Sequence, residues 1–281
     1  MSKMNRTVSA VAIVLVGMMV AMAQAQTSAP ATRPAPAGSA MPRNPNLPSL
    51  WLIGDSTMQE AASGGTGWGA AIAKMFDNTK INVVNRARGG RSSRSYQVEG
   101  LWDGVLALVK PGDFLILQMG HNDGGQITNP NGRASLPGIG DDSQEITKAD
   151  GSKEVVHTYG WYMRKYVADA KAKKVNIIIC SSVPHAPRAD VKEGDVERSG
   201  VVGWAEEVAK SQNVPFIHMN KLIMGHYVGM TPADVRAKYF TPPGDGTHTS
   251  PAGGELNASC FVDGLKQQKD LELNKYLAAA K

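Results

Sequence analysis

The sequence predicts a single α/β domain wound on both faces of a five-stranded parallel sheet. Short apolar runs recur five times between residues 50 and 217, and stretches with helical spacing separate them. Composition agrees with this. A chain of 281 residues with 42% hydrophobic and 20% charged positions excludes a disordered tail, a small disulfide-stapled module and a polytopic membrane protein. Lys and Arg total 30 against 25 acids, a net charge of +5, which is too mild an excess to imply a nucleic-acid partner.

The first elements lie outside the fold. Lys3 and Arg6 precede an uncharged apolar stretch from Val8 to Met22 that ends in Ala23-Gln24-Ala25, the small-x-small pattern cut by signal peptidase. Residues 1–25 therefore read as a secretory signal peptide, too short to favour a bilayer span. Cleavage after Ala25 would give a secreted or periplasmic protein without a membrane segment. Residues 26–48 hold six Pro and five Ala and no apolar period, so they read as a semi-extended linker. The folded catalytic domain is expected over 49–281.

Within it, Leu50-Trp51-Leu52-Ile53 is the first strand. Trp68, Ile72, Met75 and Phe76 recur at i, i+4, i+7 and i+8, which predicts an amphipathic helix. Ile81–Val84 is the second strand, and Phe114–Leu117 the third, after the turn Pro111-Gly112-Asp113. A helix from about Tyr159 to Lys174 leads to the fourth strand, Val175–Cys180, whose unbroken apolar run suits burial on both faces. Val201, Ala205 and Val208 mark a helix before the fifth strand, Val214–Ile217, and Pro251 to about Gln267 closes the domain as a helix. The segment 124–156, rich in Gly, Asp and Asn and without period, reads as an inserted loop over one end of the sheet.

Polar residues gather where these strands end, the edge at which parallel sheets bind ligands. Strand one runs into Gly54-Asp55-Ser56-Thr57, strand two into Asn85 through Ser92, and strand three into Gly120-His121-Asn122-Asp123. Asp245-Gly246-Thr247-His248 precedes the last helix. Each taken singly is an ordinary turn or helix cap. Together they supply the parts of a nucleophilic site. A Ser hydroxyl needs a base to take its proton, and an imidazole serves when a carboxylate fixes its tautomer. Asp245 and His248, three residues apart across a glycine turn, can present that pair to Ser56. The backbone N–H groups of Ser56 and Gly90 and the amide of Asn122 can stabilise the oxyanion.

The same residues carry a family resemblance. Gly-Asp-Ser-Thr-Met at 54–58, Gly-Arg-Ser-Ser-Arg-Ser-Tyr at 90–96, Gly-His-Asn-Asp at 120–123 and Asp-Gly-Thr-His-Thr-Ser-Pro-Ala-Gly at 245–253 resemble, in order, the four blocks of the SGNH (GDSL-type) hydrolases. Within these the sequence is similar to the rhamnogalacturonan acetylesterases. The resemblance implies a three-layer flavodoxin-like fold with no cofactor and no metal. It also implies Ser56 as nucleophile, His248 as base and then acid, Asp245 as its orienting partner, and an oxyanion hole of Ser56, Gly90 and Asn122. The Gly-x-Ser-x-Gly elbow of α/β-hydrolases is absent.

For substrate, Arg86, Arg88, Arg91 and Arg94 fall close together around Gly90. They read either as a solvated run with internal ion pairs or as a cationic rim, chiefly Arg88 and Arg91, for an acetylated acidic polysaccharide or oligosaccharide. Trp68, Tyr96 and Trp102 could stack on sugars or fill the core. His185 follows strand four on the active edge and is a candidate substrate contact, whereas His121 reads as a structural histidine and Asp55 and Asp123 as loop-fixing carboxylates. Cys180 and Cys260, the two cysteines, lack metal-ligand spacing and read as buried thiols or one disulfide. Two other classes stay open. The Asp and His loops loosely echo a metal-dependent phosphoesterase, though they are short of histidines for two metals. A carbohydrate-binding module without chemistry is the third.

Overall fold

The computed structural model describes residues 42–60, 65–129, 132–197, 199–241 and 244–279. The expected signal peptide and the linker up to residue 41 lie outside them. The last linker residues already belong to the fold: Asn44 exchanges hydrogen bonds with the Asn82 side chain (3.0 and 2.8 Å), and Lys110 Nζ donates to the Leu47 carbonyl (2.8 Å).

Five parallel strands form the central sheet: β1 (Ser49–Gly54), β2 (Asn82–Asn85), β3 (Phe114–Gln118), β6 (Asn176–Cys180) and β7 (Phe216–Ile217), in the order β2-β1-β3-β6-β7. Register is set by apolar residues: Trp51 faces Val84 on one side and Leu115 on the other, and Leu117 pairs with Ile179. Side chains alternate across the sheet, so one core takes Leu50, Leu52, Ile116 and Ile178, and the other takes Trp51, Ile53, Leu115 and Ile177. On the first core pack α1 (Gly69–Ile72), α6 (Met219–Gly225), α7 (Pro232–Tyr239) and α8 (Pro251–Gln267). On the second pack α2 (Ser93–Val98), α3 (Leu101–Leu106), α4 (Tyr159–Ala172) and α5 (Gly200–Ser211). Three layers result, as expected.

Four details depart from the sequence reading. The inserted segment is not all loop: β4 (Ser143–Thr147) and β5 (Lys153–His157) pair as an antiparallel ribbon. Only Ile146 and Val156 of it are buried, too few apolar positions to register as strands. The helix expected over 68–76 shrinks to α1 and one tight turn, Ala73–Met75, because Phe76 extends to bridge Leu277. The fifth strand keeps two residues, since Pro215 has no N–H to donate at this sheet edge. Helices α2, α3, α6 and α7 went unread. Two of their caps were legible: Ser92 and Ser95 form a reciprocal capping box at α2, and Thr231 precedes Pro232 at the start of α7. Cys180 and Cys260 are free, buried thiols, and burial pushes that of Cys260 up to about 12.

Candidate active site

Strand β1 ends at Gly54 and turns at once. The Asp55 carboxylate accepts from the Thr57 N–H (2.8 Å) and hydroxyl (2.7 Å), and the Asp55 carbonyl accepts from the Gln59 N–H (3.0 Å). That turn holds Ser56 at the sheet edge. The second part comes from the loop before α8. Phe240 bridges Thr249 and the Thr66 N–H donates to the Thr249 carbonyl (2.8 Å), which brings the loop to Ser56. Within it, Asp245 Oδ1 accepts from the N–H groups of Thr247 (2.8 Å) and His248 (3.0 Å), so the turn builds itself around the carboxylate.

The three side chains form a continuous relay. Asp245 Oδ2 lies 2.7 Å from His248 Nδ1, and His248 Nε2 lies 2.8 Å from Ser56 Oγ. With Nδ1–H donating to the carboxylate, Nε2 presents its lone pair to the hydroxyl. Burial alone would raise the Asp245 pKa, but the Thr247 and His248 N–H groups and the His248 ring hold it below the usual carboxylate range. Asp245 is therefore ionised at neutral pH.

Donors for a developing oxyanion lie beside Ser56. The Arg88 N–H donates to the Gly54 carbonyl (2.9 Å), which lays the loop after β2 along the β1 turn, and a Cβ at Gly89 would sit 3.5 Å from Ser56 Cβ. Gly90 follows with φ 74°, a conformation that glycine adopts without strain. The N–H groups of Ser56 and Gly90 donate to no acceptor among the described residues. Asn122 Nδ2 donates to the Arg91 carbonyl (3.1 Å), which fixes the amide and leaves its second hydrogen to the site.

A buried polar chain supports this layer. Trp68 Nε1 donates to Gln118 Oε1 (2.7 Å), Gln118 Nε2 donates to Thr57 Oγ1 (3.0 Å), and Thr57 donates to Asp55. His121 closes it, with Nδ1 3.1 Å from Asp55 Oδ2 and Nε2 3.0 Å from the Val183 carbonyl. Gln118 was missed in the sequence, although a lone amide ending the apolar run Phe114–Leu117 was a signal. Asp123, beyond Asn122, accepts from the Ser93 N–H (3.2 Å), the Ser93 hydroxyl (2.5 Å) and the Ser135 hydroxyl (3.0 Å).

Residues 52–256 match the GDSL-like lipase/acylhydrolase family. The chain belongs to that family. It is accordingly a carboxylic ester hydrolase. Among its relatives, a rhamnogalacturonan acetylesterase of Emericella nidulans is 33% identical over 214 residues, covering 76% of this chain and 83% of the relative. The uncharacterized esterase YxiM of Bacillus subtilis is 27% identical over 228 residues, and this chain spans 52% of its length. The YxiM crystal structure superposes with a TM-score of 0.63 at 23% identity, covering 80% of this chain and 57% of that one. An acetylxylan esterase from Geobacillus stearothermophilus superposes at 0.50 with 20% identity, covering 78% and 94%. These two structures share the fold.

In this family member the expected cationic rim is largely spent on scaffolding. Arg91 pairs with Glu99 (2.8 Å) and donates to the Gly89 carbonyl (2.9 Å), so it braces the loop around Gly90. Arg94 is fully buried and pairs with Glu154 (2.7 Å) on β5. Arg88 remains exposed. Trp68, Tyr96 and Trp102 are at most 1% exposed, which makes them core residues and removes them as sugar platforms. His185 lines a cavity of about 910 Å³ that the Asp245–His248 turn also lines through Gly246 and Thr247. Glu197 Oε1 holds its Nδ1 at 2.6 Å.

Proposed function

We propose that the protein is a secreted serine esterase that removes O-acetyl groups from a plant cell-wall polysaccharide, acetylated rhamnogalacturonan or a related galacturonate-containing pectin. The observation that carries the chemistry is the relay from Asp245 through His248 to Ser56 Oγ, with both contacts under 3 Å.

In this reading His248 takes the Ser56 proton as Oγ adds to the acetyl carbonyl. The N–H groups of Ser56 and Gly90 and the Asn122 amide stabilise the oxyanion. His248, now an imidazolium steadied by Asp245, returns the proton to the departing sugar hydroxyl. Water, deprotonated by the same ring, then attacks the acetyl-enzyme, and the ring returns that proton to Ser56 Oγ as the acyl–oxygen bond breaks and acetate leaves.

The substrate class is supported by the relative of Emericella nidulans, whose name gives rhamnogalacturonan as its substrate. Export is supported by residues 1–25, with their basic start, apolar run and Ala-Gln-Ala end. The deciding experiment is an acetate-release screen across acetylated rhamnogalacturonan, homogalacturonan, xylan and an aryl acetate, run with the wild type and Ser56→Ala. Release from the pectins that disappears in Ser56→Ala is expected. Release from xylan alone would move the substrate, and release that survives in Ser56→Ala would remove the serine mechanism. Amino-terminal sequencing of the exported protein should begin at Gln26.

A further inference from the structure

Besides the exposed Arg88, two half-buried guanidinium groups border the site with no counter-ion among the described residues. Arg236, on α7, is half-buried, and a Cβ at Gly246 would sit 3.1 Å from one of its terminal nitrogens and 3.5 Å from the other. The glycine between Asp245 and Thr247 thus leaves the room that this guanidinium occupies. The Arg236 side chain makes no hydrogen bond or ion pair with any described residue, Asp245 included. Arg133, from the segment between β3 and β4, reaches the loop after β2: a Cβ at Gly90 would lie 3.8 Å from one of its terminal nitrogens. Its backbone carbonyl is pinned by the Ser92 hydroxyl, while its side chain has no partner among the described residues.

Sheet order puts the two groups on opposite sides of the nucleophile. Ser56 follows β1; Gly90 follows β2, its neighbour on one side. Gly246 is tied to the other side, where its carbonyl accepts from the N–H of Ala186, beyond β6 (2.7 Å). A half-buried guanidinium has lost part of its hydration and gained no anion in exchange, so a ligand carboxylate would offset that cost through its matching two-pronged geometry. The cavity beside Arg236 also contains acids. Glu197 is engaged by His185, while Asp190 and Asp195, the latter accepting from the Lys192 backbone N–H (2.9 Å), keep their charge, with Arg188 lining the same cavity.

We propose that Arg236 and Arg133 are carboxylate receptors that hold uronate residues of an acidic saccharide on either side of the sugar presented to Ser56. The proposal rests on the reading of the site as a carbohydrate acetylesterase, and it adds to the exposed Arg88 two arginines that flank the catalytic groups.

The test separates binding from chemistry. Titration calorimetry with an unacetylated galacturonate oligosaccharide and its methyl ester would compare wild type, Arg133→Gln, Arg236→Gln and the double variant, with thermal melts verifying the fold. The double variant should bind the acid about 10- to 100-fold more weakly, as expected for lost charged hydrogen bonds. Its affinity for the methyl ester should stay that of the wild type, and Arg→Lys at both positions should restore part of the loss. Equal weakening of acid and ester, no change, or no wild-type preference for the acid would each overturn the proposal. Wild-type acetate release from acetylated oligosaccharides is assayed in parallel. Its absence alongside the predicted binding losses would overturn the esterase reading and leave the receptors standing.

Discussion

Asp55 and His121 form a buried ion pair, 3.1 Å apart, with Asp55 next to Ser56 in the chain. Both His121 nitrogens face acceptors, so the ring donates from each and carries a positive charge. Burial opposes that charge, but the Asp55 carboxylate outweighs it and raises the His121 pKa. Burial likewise works against ionised Asp55, and His121 still holds its pKa below the ordinary value. The pair thereby joins the Ser56 turn to the strand end at Val183.

The pH dependence of this pair has two limbs. Because the Asp55 pKa is depressed, its contribution is present above the usual Asp value and lost as pH falls through the folded one. Because the His121 pKa is raised, its contribution is present below the usual His value and lost as pH rises through the folded one. Removing either partner alone, as in His121→Ala, should cost roughly 3–5 kcal/mol at mildly acidic pH, since it leaves a buried charge. Denaturant titrations across pH should show a gap to wild type that narrows at both extremes. A gap independent of pH would contradict the charged pair.

Asp123 behaves in the opposite sense. Burial raises its pKa to about 6, against hydrogen bonds from Ser93 and Ser135 that lower it. Its raised value favours the folded state in acid, and that advantage is lost as pH climbs through about 6. The Asp123→Asn variant should gain on wild type from pH 4 to 7, by on the order of 3 kcal/mol in total. Thermal midpoints of the two proteins that stay parallel would count against this.

Arg94 pins the inserted ribbon. Its guanidinium pairs with Glu154 and donates to the carbonyls of Ile127 (3.2 Å) and Ala134 (2.7 Å). Arg94→Ala should cost roughly 3–5 kcal/mol and speed amide hydrogen exchange in β4 and β5. Unchanged exchange there would remove the pinning role.

Asn122 should matter to the reaction and little to the fold. Asn122→Ala should lower kcat on an aryl acetate about 10²- to 10³-fold, the usual loss for one oxyanion donor. Its KM and thermal midpoint should move little. A tenfold rise in KM with kcat intact would assign the amide to ground-state binding instead.

The parallel sheet was legible because its strands are nearly pure apolar runs, and the site because its blocks end those strands. Both signals are local. The ribbon at 143–157 was not legible, since two buried residues make no pattern. Nor was the fate of the arginines: the sequence places Arg88, Arg91 and Arg94 around Gly90, but the partners that consume two of them, Glu99 and Glu154, lie 8 and 60 residues away. Arg133 and Arg236 sit in unremarkable stretches, and only the fold brings them against Gly90 and Gly246. The Gln118–Thr57–Asp55–His121 chain is likewise a product of the ends of β1 and β3 meeting.

The most direct measurement is the turnover of an aryl acetate by Ser56→Ala and His248→Ala, with a rapid acid quench of the wild type to locate the acyl group. Each variant should lose roughly 10⁴- to 10⁶-fold in kcat while keeping its thermal midpoint, and one acetyl group should appear on Ser56 of the wild type. A Ser56→Ala enzyme that retains most of the wild-type rate, or an acetyl group trapped elsewhere, would contradict the account.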